Sequence, residues 1–260
     1  MTTANVTHFN SVQPDVATRF STGIEELDWL YGHNDGGRQY GMPRGVLSLW
    51  GGAAGIGKTR ASMQVVRNLL GMNKTVLCFT LETTQGQFVE KYCKDMPPTN
   101  RLFISEDKAL NQHIQAIQRY NPDLIVVDSV NQIEECTGSR GAKKVEAAYR
   151  SVVASTGSHV IFITHLNAKN TVKGGTALPH MVDIVFTITP FDITIKTDLF
   201  VIGAPQKHRF GKTGIETIWA HHKWGVECQS DFRFEDADWL KAKGMRRPSG
   251  RTGLKKWLFG

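Results

Sequence analysis

The segment Gly52-Ala53-Ala54-Gly55-Ile56-Gly57-Lys58-Thr59 carries the most specific chemistry in the chain. Its glycines let consecutive backbone N–H groups turn inward as an anion nest, and a helix starting at Lys58 would add the partial positive charge of its N-terminus. Lys58 has the reach for the β- and γ-phosphates of a nucleotide. Thr59 offers a hydroxyl to Mg²⁺, a hard octahedral ion that keeps most of its water and needs only one or two protein oxygens. The pattern follows a strand-like run and opens a helix-like one, and that context separates a phosphate loop from an ordinary glycine-rich turn. Residues Gly52, Ala53, Ala54, Gly55, Ile56, Gly57, Lys58, Thr59 and Arg60 are therefore assigned to a nucleotide, with ATP and Mg²⁺ as the expected ligands.

Two carboxylates fit beside this loop. Asp128 ends the apolar run Leu124-Ile125-Val126-Val127, so it should emerge at the C-terminal edge of a buried strand, where ligands of doubly wound sheets bind. A contact to Mg²⁺, direct or through water, is its expected role; capping the following helix is the plainer alternative. Glu82 lies just past the strand Thr75 to Thr80 and should face the same edge, placed to orient and deprotonate an attacking water. Without that placement it would be one more surface glutamate.

The elements that must hold these residues follow from periodicity. Polar residues precede Phe20, and Ser21-Thr22-Gly23-Ile24-Glu25-Glu26-Leu27 has the capping residues and apolar spacing of a short helix. Strands are predicted at 46–50, 75–80, 101–104, 124–127 and 160–164, alternating with helices at 58–70, 86–94, 108–120 and 142–155. The run 124–127 is apolar on both faces, as in a central parallel strand covered by helices on each side. After Met181, strands at 184–189, 198–202 and 215–221 are separated by Gly- and Pro-containing turns and should extend the sheet edge in antiparallel fashion. The expectation is an α/β fold: a mostly parallel central sheet flanked by helices, with antiparallel edge strands toward the C-terminus. The division is a flexible segment 1–19, an ATPase core 20–230 and a basic tail 231–260.

Composition narrows the partners. With 260 residues, 40% apolar and 21% charged, the chain suits one sizeable globular domain. No apolar stretch reaches the ~20 residues a bilayer span needs, and the first ten residues lack a signal-type apolar region, so a cytoplasmic protein without membrane contact is expected. The four scattered cysteines suggest neither a zinc site nor a disulfide framework. Residues 241–260 hold 7 of the 31 basic residues and no acid, leaving 24 against 24 elsewhere. That tail, with Arg246, Arg247, Trp257 and Phe259, is a candidate nucleic-acid contact; a solvated tail kept for solubility is the alternative.

With these residues placed, the chain resembles the RecA superfamily of ring- and filament-forming ATPases, and most closely the ATPase core of the RadA/Sms branch-migration proteins. The carriers are Ser21-Thr22-Gly23-Ile24-x-x-Leu27-Asp28, Pro122-Asp123-Leu124-Ile125-Val126-Val127-Asp128-Ser129, His180-Met181-Val182-Asp183 and Lys207-His208-Arg209-Phe210-Gly211. The last looks like the Lys-Asn-Arg-Phe-Gly signature of RadA, with His208 in place of Asn. The resemblance implies that Lys207 and Arg209 reach across a subunit interface to a neighbour's γ-phosphate; two solvated cations on a turn are the plain alternative. It also implies that His165 senses the γ-phosphate, against a satisfied core histidine, and that the loop 167–176, with Lys169, Lys173 and Gly174, faces single-stranded DNA, against an ordinary exposed loop.

The N-terminal four-cysteine module and C-terminal protease-like domain of RadA/Sms are missing from these 260 residues, and a bare core with a basic tail resembles reduced RecA-type phage proteins. The resemblance thus implies a Mg²⁺- and ATP-dependent single-stranded-DNA-binding ATPase of recombination or repair, active in strand annealing or branch migration. It implies a hexameric ring or filament with ATP sites between subunits, a single-strand-binding protein as a further partner, and a bacterial or phage-infected cell. A DnaB-type replicative helicase and a KaiC-like regulatory ATPase that never touches DNA remain as alternatives; the basic tail and the loop lysines weigh against the second.

Overall fold

The computed structural model describes residues 18–32, 40–136, 138–166, 177–190, 199–211, 213–214, 216–222 and 225–228. The loop residues Lys169, Lys173 and Gly174 and the tail residues Arg246 and Arg247 lie outside them.

The strands are β1 (Arg19–Phe20), β2 (Met42–Pro43), β3 (Leu47–Gly52), β4 (Val76–Thr80), β5 (Leu102–Ser105), β6 (Leu124–Asp128), β7 (His159–His165), β8 (Ile184–Pro190), β9 (Leu199–His208), β10 (Glu216–His222) and β11 (Gly225–Cys228). The helices are α1 (Glu25–Tyr31), α2 (Lys58–Gly71), α3 (Gln85–Phe88), α4 (Leu110–Tyr120), α5 (Gly138–Thr156) and α6 (Ala177–Met181). Strands β1 and β2 form a small antiparallel pair; the others form one nine-stranded sheet in the order β11-β10-β9-β8-β3-β7-β6-β4-β5. From β5 to β8 all neighbours are parallel, and β8, β9, β10 and β11 continue in antiparallel fashion. This is the expected α/β architecture.

Two-residue alternation splits each central strand between two cores. Along β6, Leu124 and Val126 face the layer of α1 and α2, where Trp50, Val65, Val66, Leu69 and Phe186 pack. Ile125 and Val127 face the layer of α4 and α5, with Leu47, Leu49, Ile117, Tyr149, Val153 and Phe162. Trp50, Phe162, Phe186 and Tyr149 are fully buried. At about 1.5–3 kcal/mol for each large apolar side chain removed from water, these two layers fix the sheet as a rigid platform.

Three local expectations are corrected. Ser21 and Thr22 do not cap α1, whose N-cap is Ile24 without a side-chain bond. Their hydroxyls donate to the carboxylate of Asp28, which also accepts from the Thr22 N–H at 2.6 Å; a buried carboxylate needs these donors, so the motif ties a turn to the helix instead of starting it. The expected helix 86–94 is α3, opened by a Thr84–Gln87 capping box, followed by a π-helical turn over Val89–Cys93. Finally, β9 runs to His208 and not to residue 202. Its pairing with β8 skips from Thr187↔Gly203 to Val185↔Lys207, a local irregularity in the ladder. Strand β11 adds to the expected set. Among the described residues, no helix is long and apolar enough to cross a membrane.

Candidate functional site

Strand order assembles the site. Four adjacent strands, β3, β7, β6 and β4, end at one edge and deliver the loop after Gly52, His165, Asp128 and, two residues beyond β4, Glu82. The register pairs Gly52 with His165 and Thr80 with Asp128, so residues scattered over more than a hundred positions sit in one row. Thr80, Glu82, Asp128 and His165 line a cleft of about 420 Å³ together with Gly55, Gly57, Lys58, Thr59 and Arg60, within the size range of small-molecule sites.

The loop is shaped for an anion. Gly55 has φ +76° and Gly57, the N-cap of α2, has φ +104°, both in the left-handed region. With glycine as its cap, α2 has no side chain competing for its first N–H groups, which are left to a ligand. The Lys58 ammonium sits inside the loop and donates to the carbonyls of Gly52 at 2.9 Å and Ala53 at 2.8 Å. Burial pulls its pKa below the ordinary lysine value, with Asp128 and Glu82 opposing that effect.

A hydrogen-bonded relay joins Lys58 to Glu82. Lys58 Nζ approaches His165 Nδ1 at 3.4 Å, and His165 Nε2 lies 3.0 Å from Glu82 Oε1. An ammonium only donates and a carboxylate only accepts, so the imidazole accepts at Nδ1 and donates from Nε2. Burial pushes the Glu82 carboxyl upward, but Ser129, the hydrogen bond from His165 and the charge of Lys58 outweigh it, and its pKa ends below the ordinary carboxylate value. The buried Ser129 hydroxyl faces this carboxylate without a well-formed hydrogen bond among the described residues. An ionised Glu82 is in the form that can orient a water and take its proton.

Thr59 Oγ1 donates to Asp128 Oδ2 at 2.5 Å. Burial raises the Asp128 pKa and the Glu82 charge adds to this, against the Thr59 hydrogen bond and the charge of Lys58. A divalent cation would relieve the buried negative charge that lifts Asp128. Two oxygen donors side by side also suit Mg²⁺, and the described residues contain no cluster of three or more His, Cys, Asp or Glu that would make an all-protein metal cage. Thr59 and Asp128 would hold the ion, which would neutralise phosphate charge there.

Lys207 and Arg209 are not part of this cleft. They lie at the opposite end of the sheet, where Asp183 at the head of β8 bonds Leu47 at the head of β3 through both its N–H and its carboxylate. Five residues of β3 separate that end from Gly52, about 17 Å at strand rise. The segment 179–183 cradles both cations: Lys207 Nζ donates to the carbonyls of Pro179 and His180, and Arg209 Nη1 donates to Asp183 Oδ1 at 3.0 Å. Arg150 from α5 binds the other oxygen of the same carboxylate. Asp183 is nearly buried while the Arg209 side chain is 57% exposed, so its guanidinium is tethered at one edge and open on the other. His180 and Asp183 of the motif His180-Met181-Val182-Asp183 thus each hold one of the two cations.

Several cleft residues were not foreseen. Phe88, Lys91 and Tyr92, from α3 and the π-helical turn, line one side, and His221 of β10 lines another. No spacing rule ties these positions to a phosphate loop, because they reach it through a local change of helix type and through distant strand pairing.

No protein-family profile matches the chain. Curated relatives do. The chain is 26% identical over 231 residues to the DNA repair protein RadA of Mycolicibacterium smegmatis, covering 85% of this chain and 47% of that protein. It is 25% identical over 191 residues to RadA of Campylobacter jejuni, covering 71% and 41%. With RadA of Bacillus subtilis it shares 26% over 224 residues, covering 83% and 46%. The chain therefore spans less than half the length of these relatives. In its glycine-rich loop, its row of strand-end residues and its sequence, the chain is similar to the RecA-like core of the RadA DNA repair proteins.

Proposed function

We propose that the protein is a Mg²⁺-dependent ATPase that acts on single-stranded DNA in recombination or repair and assembles into a ring or filament with ATP sites between subunits. The observation that carries this reading is the convergence of Lys58, Thr59, Asp128, Glu82 and His165 on one cleft, with Lys207 and Arg209 presented at the far end of the same sheet. In the proposed reaction a water held by Glu82 attacks the γ-phosphorus and the bond to the bridging β,γ-oxygen breaks. Glu82 takes the water's proton, and Lys58 offsets charge on the phosphates. Because the pair lies at the far end of β3, about 17 Å of strand from its own loop, Lys207 and Arg209 would complete a neighbour's site and make hydrolysis depend on assembly. DNA as the partner rests on the similarity to RadA proteins and on the basic segments.

The test is steady-state ATP hydrolysis at several protein concentrations, with and without single-stranded DNA, at low and moderate salt. Turnover per protomer should rise with concentration, and DNA should stimulate it in a salt-sensitive way. Hydrolysis indifferent to DNA sinks the DNA reading; turnover independent of concentration across the assembly range sinks the shared site.

A further inference from the structure

We propose that His221, on the antiparallel extension of the sheet, is a positioning residue for the phosphate loop: it holds the Ile56 carbonyl outside the loop and so aims the Gly57 N–H into it. The inference rests on the nucleotide reading of that loop.

His221 Nε2 lies 3.0 Å from the carbonyl oxygen of Ile56. A carbonyl only accepts, so Nε2 carries the proton and donates. The Ile56 carbonyl and the Gly57 N–H belong to one rigid trans peptide unit and point in opposite directions. Clamping the carbonyl toward β10 therefore fixes the N–H on the other side, toward the centre of the loop where Lys58 lies. Without the clamp, the peptide between Ile56 and Gly57, with a left-handed glycine at φ +104° on one side, could rotate at little cost.

The clamp is itself held firmly. The His221 ring stacks on Phe200 of β9 with centroids 4.5 Å apart. Two positions earlier on β10, Trp219 is buried, pairs with Phe200 in the ladder and donates from Nε1 to Thr217 Oγ1. The fit against the loop is close: a Cβ added to Gly57 would lie 2.1 Å from His221 Cε1. Gly57 is thus required by its backbone angle and also by the imidazole beside it. The antiparallel strands, which supply none of the loop's own residues, acquire a role in nucleotide binding through this one side chain.

The test compares His221→Ala, His221→Phe and His221→Gln in the full chain. The probe is a fluorescent ADP with Mg²⁺, titrated to saturation, with kcat and KM for ATP measured in parallel. Phenylalanine keeps the ring on Phe200 but cannot donate; glutamine can place an amide N–H near the Nε2 position. Binding should weaken about tenfold in the alanine and phenylalanine variants, the cost of one hydrogen bond of about 1.4 kcal/mol, and return to within about threefold of the parent in the glutamine variant. The loss should appear in KM, with kcat within about twofold. Parent-like binding by His221→Phe would show that packing alone matters and would overturn the proposal, as would a glutamine variant as weak as the phenylalanine one. Should His221→Ala misfold, the phenylalanine and glutamine pair decides. If the parent itself shows no saturable binding, the nucleotide reading fails, and the proposal with it.

Discussion

His208 stands where the RadA signature has asparagine, and its surroundings make that substitution sensitive to acid. Its Nε2 lies 2.7 Å from the Leu30 carbonyl, which only accepts, and its Nδ1 accepts from the Phe210 N–H at 3.2 Å. Both ring positions are therefore satisfied by the neutral imidazole, and a second ring proton would confront the Phe210 N–H. Burial, opposed by the Leu30 hydrogen bond and aided by the charge of Arg19, lowers its pKa from 6.5 to about 4. Because the folded value is depressed, the unfolded chain takes the proton first; the stability is fully present above 6.5 and is lost as the pH falls from 6.5 toward 4. At about pH 5 the unfolded ring is almost wholly protonated and the folded one about a tenth, which costs about 2 kcal/mol relative to about pH 7.5. His159, fully buried between the Pro43 carbonyl and the Ser48 hydroxyl and also lowered to about 4, adds a similar loss. Against a typical total of roughly 5–15 kcal/mol, the pair should make the fold acid-labile. Urea unfolding of the parent and of His208→Asn at about pH 7.5 and pH 5 checks this: the variant should lose about 2 kcal/mol less between the two conditions, whatever its stability at the higher one. Parallel losses would refute the assignment of a neutral, buried His208.

Other outcomes follow from the site. Glu82→Gln should keep nucleotide binding and lower hydrolysis by about 10²–10⁴-fold, read as kcat; near-normal turnover would remove Glu82 as the base. Arg209→Ala should spare ATP binding and abolish most hydrolysis, and mixing it with Lys58→Ala subunits should restore part of the activity, because some interfaces then pair an intact loop with an intact arginine. Absence of recovery in the mixture would count against a site shared between subunits. Asp183→Asn should lower the unfolding free energy by about 2–3 kcal/mol, at the low end for a broken buried pair because both guanidiniums are partly in water, and an unchanged urea midpoint would contradict the cradle.

Local patterns were legible where one residue type has one physical use. The spacing of Gly52, Gly57, Lys58 and Thr59 predicted a strand, a loop and a helix in that order, and β3 and α2 bracket it so. The doubly apolar run at 124–127 marked a strand buried on both faces, and its residues divide between the two cores. Ser21 and Thr22 misled because hydroxyls serve equally as helix caps and as donors to a carboxylate, and only Asp28, brought back by the turn, decides between them. Strand β9 outruns the expected 198–202 because Gly203 resembles a turn, whereas Gly203 pairs with Thr187 once β8 lies alongside.

By itself the sequence determined the strand, glycine-rich loop and helix at β3 and α2, the alternating α/β order and the acidic residues at strand ends, since these depend on backbone conformation and periodicity over a few neighbours. Only the tertiary structure decided that His165 bridges Lys58 and Glu82, that Asp183 presents Arg209, and that His221 touches the loop. Those contacts depend on strand order, which places β7 between β3 and β6, and on the register of β8 with β9 and of β9 with β10, neither of which leaves a periodic trace in the chain.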